Sequence, residues 1–267
     1  NHHKLRCHIY SYFNELAGNK DFRKPLFRNR VLYKLSKKLL NTRGIHQLAS
    51  MRMLSLLAQY DAAYLWTNCK LELYQKIKEK NKILICEAIN THQNSARIIL
   101  DTEYARIGIT QTKRISNENI NDENAKLALS DFIFCPSPNV TKSMLDNGVD
   151  ATKLIETSYG LGPHQRHQPD SSLHHTKGFN VLFVGSGIIR KGIHLLLAYW
   201  RDAHIDGLLT IIGNVDPEIE HIVQPYRNDR RFKFVSFTKD IDPYFKDADV
   251  FALPSLEEGS PLVTYLA

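Results

Sequence analysis

Cysteine is scarce in this chain, and long hydrophobic runs are missing from it. The four cysteines, among 267 residues, have no pairwise spacing typical of a metal site. Cys86 and Cys135 stand in apolar stretches, which favours buried free thiols. No apolar segment approaches the length of a membrane-spanning helix. These scarcities predict a cytoplasmic globular protein without a metal site.

Strand-like and helix-like segments alternate along the chain. This alternation is typical of parallel, doubly wound sheets, and the length suffices for two modest domains of that kind. The sequence therefore predicts an α/β fold with two Rossmann-like domains. Strands are predicted at 61–66, 83–88, 132–135, 181–184, 208–212, 232–236 and 249–253, and helices at 70–80, 95–106 and 138–147.

A segment without periodicity, rich in proline and other turn residues, divides the chain. We predict an N-terminal domain at 1–160, a linker at 161–178 and a C-terminal domain at 179–267. The first domain has no glycine-rich first βα unit, and the chain stops within a predicted helix. Both domains are therefore expected to be incomplete, as in the middle of a longer enzyme.

The last strand candidate, 249–253, leads into a motif suited to binding a phosphate. A glycine loop follows it, and then Ser260, a preferred N-cap, and Pro261, a residue favoured at the first helical position. A helix is therefore predicted to start there. Its backbone N–H groups, from Gly259 to Leu262, would hold an anion.

A second strand, 181–184, is also followed by a glycine turn and then by a helix with one apolar face. Because ligands of parallel sheets lie beyond the carboxyl ends of the strands, both loops would share one site. The two acids of the loop, Glu257 and Glu258, do not suit a phosphate, and a carboxylate there would accept hydrogen bonds from sugar hydroxyls, so the predicted ligand is a phosphorylated sugar. The predicted phosphate contacts of the upstream loop are Gly185, Ser186, Gly187, Arg190 and Lys191.

The two motifs, Gly185–Gly192 and Pro254-Ser-Leu-Glu-Glu-Gly259, together resemble those of the retaining GT-B glycosyltransferases of family four, the glycosyl transferases group 1 type. That family carries the motif Pro-Ser-x-x-Glu-Gly and, at the start of its second domain, a phosphate loop with the motif Gly-Arg-x-x-x-x-Lys-Gly. Here Glu258 and Lys191 match the acidic and basic positions. The resemblance extends from about residue 80 to the end of the chain.

The resemblance implies transfer of a hexose from a nucleotide-diphosphate sugar, the co-substrate, to a hydroxyl acceptor, with retention of configuration and without a metal or any other cofactor. The acceptor would be a glycan, a lipid-linked molecule or a small molecule. The implied catalytic residues are Lys191 on the diphosphate, Glu258 on the hexose, and His92, which follows the strand at 83–88 and would lie near the transferred sugar.

Two positions depart from the family pattern. Leu266 stands where the family has a second Glu that contacts the donor ribose, and Ser186 stands where it has the phosphate-loop Arg. Arg190 is close enough in sequence to supply the missing charge. Two alternatives therefore stay open: a non-catalytic relative that binds nucleotide sugars, and a GT-B-type nucleotide-sugar epimerase.

The excess of positive charge is concentrated near the start of the chain. Lys and Arg number 35 against 28 Asp and Glu, and between Lys20 and Arg43 the only acid is Asp21. A basic amphipathic helix is predicted over 20–43. It is either an ordinary surface helix or a peripheral contact with the inner face of a membrane, where it could attract a lipid-linked acceptor. No nucleic-acid-binding motif accompanies the charge, so no nucleic-acid partner is expected.

Overall fold

The computed structural model describes residues 9–11, 23–25, 34, 38, 42–160 and 178–267. They group into two compact units. The first comprises Asn1–Cys86 with Leu129–Asp131, and the second comprises Glu87–Ala128 with Phe132–Ala267. Within the described ranges, no helix is both long enough and apolar enough to cross a membrane.

The described part of the first unit consists of short strands and helices. Tyr74 is its largest fully buried side chain, and the Tyr74 hydroxyl donates to the carbonyl of Trp66 at 3.1 Å. Buried Cys86 is a free thiol that lies 3.3 Å from this hydroxyl, as the apolar sequence around it predicts. The elements are β1 (Ile9–Ser11), β2 (Arg23–Pro25), α1 (Thr42–Leu56), β3 (Ala62–Trp66), α2 (Leu71–Glu79) and β4 (Ile83–Glu87), the last residue of which belongs to the second unit.

The predicted basic helix over 20–43 is wrong at its start. Arg23–Pro25 is extended and pairs in parallel with Ile9–Ser11 as β2. The reason is Pro25, because the residue before a proline is driven into the extended region and proline lacks the N–H that a helix needs. Lys34 and Lys38 are helical and exposed, and the remaining residues up to 41 lie outside the described part.

The second unit contains two sets of parallel strands. One pairs β5 with β6, and the other has the order β10-β7-β8-β9, parallel throughout. The elements are α3 (Gln93–Ile107), α4 (Asn117–Leu129, whose last residue belongs to the first unit), β5 (Phe132–Cys135), α5 (Pro138–Asp146), β6 (Leu154–Glu156), β7 (Phe179–Val184), α6 (Ile193–Asp202), β8 (Gly207–Ile212), α7 (Glu220–Val223), β9 (Phe232–Val235), α8 (Asp242–Asp247) and β10 (Val250–Phe251).

The predicted α/β alternation is confirmed, and every predicted strand is present within a few residues of its expected bounds. The cap of α5 is also as predicted, because the Ser137 hydroxyl accepts from the N–H of Val140 and Pro138 is the first helical residue. Helix α4 and strand β6 had no counterpart in the predictions. The predicted linker lies outside the described residues except for Gly178, so the division into domains at 161–178 stays a prediction.

The register of the sheet β10-β7-β8-β9 gathers its loops at one edge. Val184 is level with Ile212, and Ile212 is level with Val235, so β7, β8 and β9 end side by side. Strand β10 pairs with β7 through Phe251 and Leu182, and the chain then leaves toward the same edge. The segments that follow these strands are therefore neighbours because of strand register alone.

One hydrophobic core joins this sheet to α3 and α6. Ile193, Leu197 and Trp200 face inward from α6 and pack in the same cluster as Leu100 and Tyr104 of α3. Polar contacts reinforce the packing at its margin. The Nε2 atom of buried His194 lies 2.6 Å from a carboxylate oxygen of Glu103, and the Tyr104 hydroxyl donates to Glu218 at 2.5 Å. Helix α3 is thus fixed to the C-terminal sheet within the second unit.

Replacing Leu197 with Ala tests this core. The side chain is fully buried, so the cavity should lower the free energy of unfolding by about 2–5 kcal/mol. Tyr199 lies in the same helix but is 67% exposed, and Tyr199→Ala should change the free energy by less than about 0.5 kcal/mol. Chemical denaturation of both variants gives the comparison. Equal effects would show that α6 is not packed as described.

Candidate functional site

The loop that follows β10 lies against the turn that precedes α6. Gly192 has a φ of +68°, and a Cβ there would lie 1.9 Å from the carbonyl oxygen of Pro254. The N–H of Leu256 donates to the carbonyl of Arg190 at 2.9 Å. Only a glycine allows the two chain segments to come this close, so Gly192 fixes the spacing between the basic turn and the acidic loop.

The glycine turn after β7 is bonded to its neighbouring strand. The N–H of Gly185 donates to Ile212, and that of Gly187 donates to Asn214, both at 2.9 Å. These two donors are satisfied inside the protein, and the glycines shape a tight turn. Their predicted contact with a diphosphate, and that of Ser186, stay predictions.

Arg190, Lys191 and Glu258 come together as the shared edge of the sheet predicts. Arg190 and Lys191 lie in a short 3₁₀ turn, Ile189–Lys191, directly before α6. The ammonium group of Lys191 forms an ion pair with the Glu258 carboxylate, and Arg190 Nη1 lies 3.5 Å from the same oxygen. The Ser255 hydroxyl also donates to this oxygen, at 3.2 Å. Two cations and one carboxylate therefore line one place at the sheet edge.

Glu257 is the most buried member of this group. Its Oε1 atom accepts from the N–H of Thr91 at 3.1 Å and from the Thr91 hydroxyl at 2.8 Å. Its Oε2 atom lies 3.3 Å from Nη1 of Arg190, and the residue is 4% exposed. This carboxylate therefore links the acidic loop to the segment before α3.

The segment from Gly259 to Leu262 departs from the predicted helix start. Ser260 does not cap a helix, because its hydroxyl is hydrogen-bonded to the Tyr265 hydroxyl at 2.7 Å. Pro261 is extended, with ψ of 114°, and only a short 3₁₀ turn, Leu262–Tyr265, follows. A turn of this length has little macrodipole. What remains of the predicted anion site is the set of N–H groups of Gly259, Ser260 and Leu262, which donate no hydrogen bond among the described residues.

Gly259 itself lies directly against the loop after β4. A Cβ at this position would lie 1.7 Å from the carbonyl oxygen of Ile89. Any side chain would push the two segments apart. The glycine of the acidic loop is thus required by close backbone approach.

His92 is buried and acts as a helix cap in this structure. Its Nδ1 atom accepts from the N–H of Asn94 at 3.1 Å, and its Nε2 atom lies 2.8 Å from Oδ1 of Asn124. Because Nδ1 accepts, Nε2 carries the proton and donates. Burial lowers the pKa of His92, and the bond to Asn124 opposes this in part. The ring is 1% exposed, so its predicted role beside the substrate stays a prediction.

Helix α4 supplies two polar residues that the sequence interpretation missed. Asn124 holds the His92 ring, and Glu123 accepts from the N–H of Gln93 at 2.6 Å while it is 5% exposed. Burial raises the pKa of Glu123 to about 7, although the Gln93 bond lowers it in part. In the sequence, residues 117–129 show a polar pattern that also fits a helix exposed to solvent, so nothing local marks Glu123 and Asn124 as buried.

The described residues of the second unit line cavities at both edges of the C-terminal sheet, and two of these cavities differ in size. The smaller, of about 200 Å³, opens at the carboxyl ends of β8 and β9, on the edge that carries the basic turn. The larger, of about 450 Å³, is bordered by Arg201 at the end of α6 and Arg231 just before β9, on the opposite edge. The smaller one is lined by Gly213, Asn214, Val215, Arg227, Phe234, Val235 and Ser236. Among the described residues, no three His, Cys, Asp or Glu side chains are placed to hold a metal ion.

Part of the chain matches a known protein family. Residues 164–265 match the family described as Glycosyl transferases group 1. No curated protein sequence gives a significant match to the chain. The matched residues include the basic turn and the acidic loop, and they end beside Leu266.

Solved structures resemble the chain at low identity. HepE (Alr3699) of Anabaena in complex with UDP-glucose is 13% identical with a TM-score of 0.58, covering 84% of this chain and 64% of HepE. The lipopolysaccharide outer core galactosyltransferase WaaB, in its apo form, is 12% identical with a TM-score of 0.54, covering 97% and 68%. An E. coli structure described as trehalose-6-phosphate bound with UDP-2-fluoro glucose is 14% identical with a TM-score of 0.54, covering 90% and 61%.

These matches define the class of fold. The resemblance to GT-B glycosyltransferases of the group 1 family is confirmed, through the family match over residues 164–265 and through the fold over most of the chain. The chain spans 56% to 64% of the length of the HepE structures that it matches.

The buried acid of α4 gives a pH-dependent stability. The folded pKa of Glu123, about 7, lies above its ordinary value of 4.5, so between these values the folded state binds more protons than the unfolded state. Stability should therefore fall as pH rises from about 4.5 to about 7, by as much as about 3 kcal/mol.

Glu123→Gln removes this titration and keeps an acceptor for Gln93. Unfolding free energies of wild type and variant, measured across pH, should converge at low pH and diverge toward pH 7, with the variant the more stable there. Parallel curves would contradict the assignment. Glu118→Gln, on an exposed position of the same helix, is the matched control.

Proposed function

We propose that this chain carries the donor site of a glycosyltransferase, which moves a hexose from a nucleotide-diphosphate sugar to a hydroxyl acceptor with retention and without a metal. The observation that carries the proposal is the convergence of Arg190 and Lys191 on Glu258 at the carboxyl edge of a parallel sheet. Glu258 is followed in sequence by the N–H groups of Gly259, Ser260 and Leu262, which donate no hydrogen bond among the described residues. The family match over this region and the GT-B fold support it.

The donor diphosphate is assigned to the basic turn. Lys191 and Arg190 supply positive charge. The N–H groups of Gly259, Ser260 and Leu262, which have no acceptor within the described ranges, supply donors that need no reorganisation. Such preorganised groups stabilise the charge that grows on a leaving diphosphate. Arg190 thereby supplies the charge of the family's phosphate-loop Arg, whose position is occupied by Ser186 in this chain.

The hexose is assigned to Glu258. Its carboxylate accepts hydrogen bonds from sugar hydroxyls once Lys191 turns from it to the diphosphate. Donor binding thus exchanges one ion pair for two charge-assisted contacts. A nucleoside diphosphate without a sugar would satisfy Lys191 and leave Glu258 unpaired.

In the proposed reaction the bond between the anomeric carbon and the diphosphate oxygen breaks. The acceptor oxygen forms a new bond to that carbon on the face that the diphosphate leaves, and the acceptor proton passes to the departing phosphate oxygen. Lys191 and the backbone donors hold the negative charge. His92 contributes in this scheme by capping α3 and fixing the loop beside the acceptor, and its direct contact with the sugar remains part of the hypothesis.

One observation favours a second candidate. Leu266 cannot accept a hydrogen bond from a ribose, so a non-catalytic nucleotide-sugar-binding protein is the alternative. Such a protein would bind donors and release no nucleoside diphosphate with any acceptor. An epimerase would convert the donor without an acceptor. Product analysis with and without acceptors separates the three candidates, which are the transferase, the binding protein and the epimerase.

The lipid-linked acceptor, the cytoplasmic location and membrane contact through 20–43 remain proposals.

The first test is donor binding by the complete protein. Thermal unfolding is followed with UDP, GDP, ADP and their glucose conjugates. A ligand at a hundred times its dissociation constant should stabilise the fold by about 2.7 kcal/mol. Lys191→Ala should weaken the binding about ten- to a hundredfold, because one charge-assisted contact is lost. Lys246→Ala removes the same charge from an exposed site on α8 and should bind like wild type.

Glu258→Gln should separate the two parts of the donor. Loss of the carboxylate frees Lys191 and removes repulsion, so a nucleoside diphosphate should bind several-fold more tightly. The sugar conjugate should be turned over at least about tenfold more slowly, because the hexose loses a charged acceptor. Calorimetry and turnover assays measure the two effects. Equal weakening of both ligands would contradict the assignment of Glu258 to the hexose.

A further inference from the structure

We propose that Glu257 is a positioning residue of this site. Its buried carboxylate holds Arg190 on the donor side and Thr91 on the acceptor side in one fixed arrangement. The inference rests on the proposed function, because it concerns groups that flank the place where donor and acceptor would meet. It assigns a role to an acid that neither binds phosphate nor faces the sugar.

On the donor side, Glu257 contacts the guanidinium of Arg190 through one nitrogen atom. Nη1 of Arg190 donates to Oε2 of Glu257 at 3.3 Å and to its backbone carbonyl at 3.2 Å. All the hydrogen bonds of this side chain within the described part of the chain involve Nη1. Nε and Nη2 stay available for a second partner, and the guanidinium fork suits phosphate oxygens. Glu257 therefore orients Arg190 without using its remaining donors.

The acceptor-side contact fixes the loop between β4 and α3. Both donors of Thr91, the N–H and the hydroxyl, point to the one oxygen Oε1. Two residues earlier, the Ile89 carbonyl lies against Gly259 with no room for a Cβ. His92 follows immediately and caps α3. The loop is held by a cap on one side and by Glu257 on the other.

Burial of this carboxylate has a cost that an apolar residue would avoid. A buried acid needs a cation and hydrogen bonds, and a well-packed hydrophobic side chain often stabilises a fold equally or better. The charged neighbours are Arg190, Glu258 next in sequence, and Glu123, whose own ionisation this charge opposes. Since stability alone does not require an acid here, orientation of the two loops is its contribution.

Two variants separate the two contacts. In Glu257→Gln the amide oxygen can still accept from Thr91, but the NH₂ group faces Arg190 and cannot accept from it. The KM for the donor should rise about tenfold, with kcat little changed. In Thr91→Val only the hydroxyl is lost, so kcat should fall several-fold at an unchanged donor KM, and Thr91→Ser should restore it.

The measurement uses the complete protein and the nucleotide–glucose conjugate that stabilises wild type most, with release of nucleoside diphosphate as the readout. The opposite KM and kcat signatures at unchanged melting temperature support the inference. Wild-type constants in both variants, or equal loss in KM and kcat together with a lowered melting temperature, would overturn it.

Hydrogen exchange of the Thr91 amide distinguishes this inference from the proposed function. Exchange should be faster in Glu257→Ala than in wild type without any ligand, since the amide loses its acceptor. If wild type binds no nucleotide but the amide is released, the proposed function fails and the loop contact stands. If donors bind and turn over but the amide exchanges equally in both proteins, Glu257 does not position the loop.

Discussion

The geometry of the site depends on the contacts that the buried Glu257 carboxylate makes with Arg190 and Thr91. A carboxylate that is buried away from water is costly unless it keeps its hydrogen-bonding partners. Loss of Arg190 or Thr91 as a partner would therefore leave the Glu257 carboxylate both desolvated and unpaired. Two glycines make this possible. Gly192 and Gly259 bring backbone segments into contacts that no side chain would permit, and the carboxylate then spans the remaining distance. Close packing and charge burial therefore act on the same loop.

Strand register explains why these loops meet at all. Because β7, β8 and β9 are parallel and end level, each following segment leaves at one edge of the sheet. The residues that the sheet contributes to the core are buried, whereas the loops carry the polar side chains of the site. Function in such folds resides in the loops, and the same scaffold accommodates different substrates. The charges at this edge are accordingly more informative about activity than the core beneath them.

The sequence predicted the strands and the meeting of Lys191 with Glu258, because apolar runs and turn residues are local signals and parallel register is a general rule. It did not predict contacts between distant segments. The bond from Thr91 to Glu257 joins residues far apart in the chain, and no local pattern marks it. The helix start at Ser260 was wrong for a similar reason, since the Tyr265 hydroxyl competes for the capping side chain. His92 follows strand β4, as the sequence predicted, but its ring is hydrogen-bonded to Asn124 of α4, a helix that was not predicted.

The two departures from the family pattern have different physical consequences. Ser186 removes a cation from the phosphate loop, but Arg190 lies beside Lys191 and 3.5 Å from Glu258, so the charge at the edge is kept. Leu266 lacks the carboxylate that the family has at this position, and the two acids of the neighbouring loop, Glu257 and Glu258, are both engaged. A donor bound here would derive its affinity from the diphosphate and the hexose rather than from the ribose. Affinity of that kind depends strongly on the orientation of Arg190, and hence on the carboxylate that holds it.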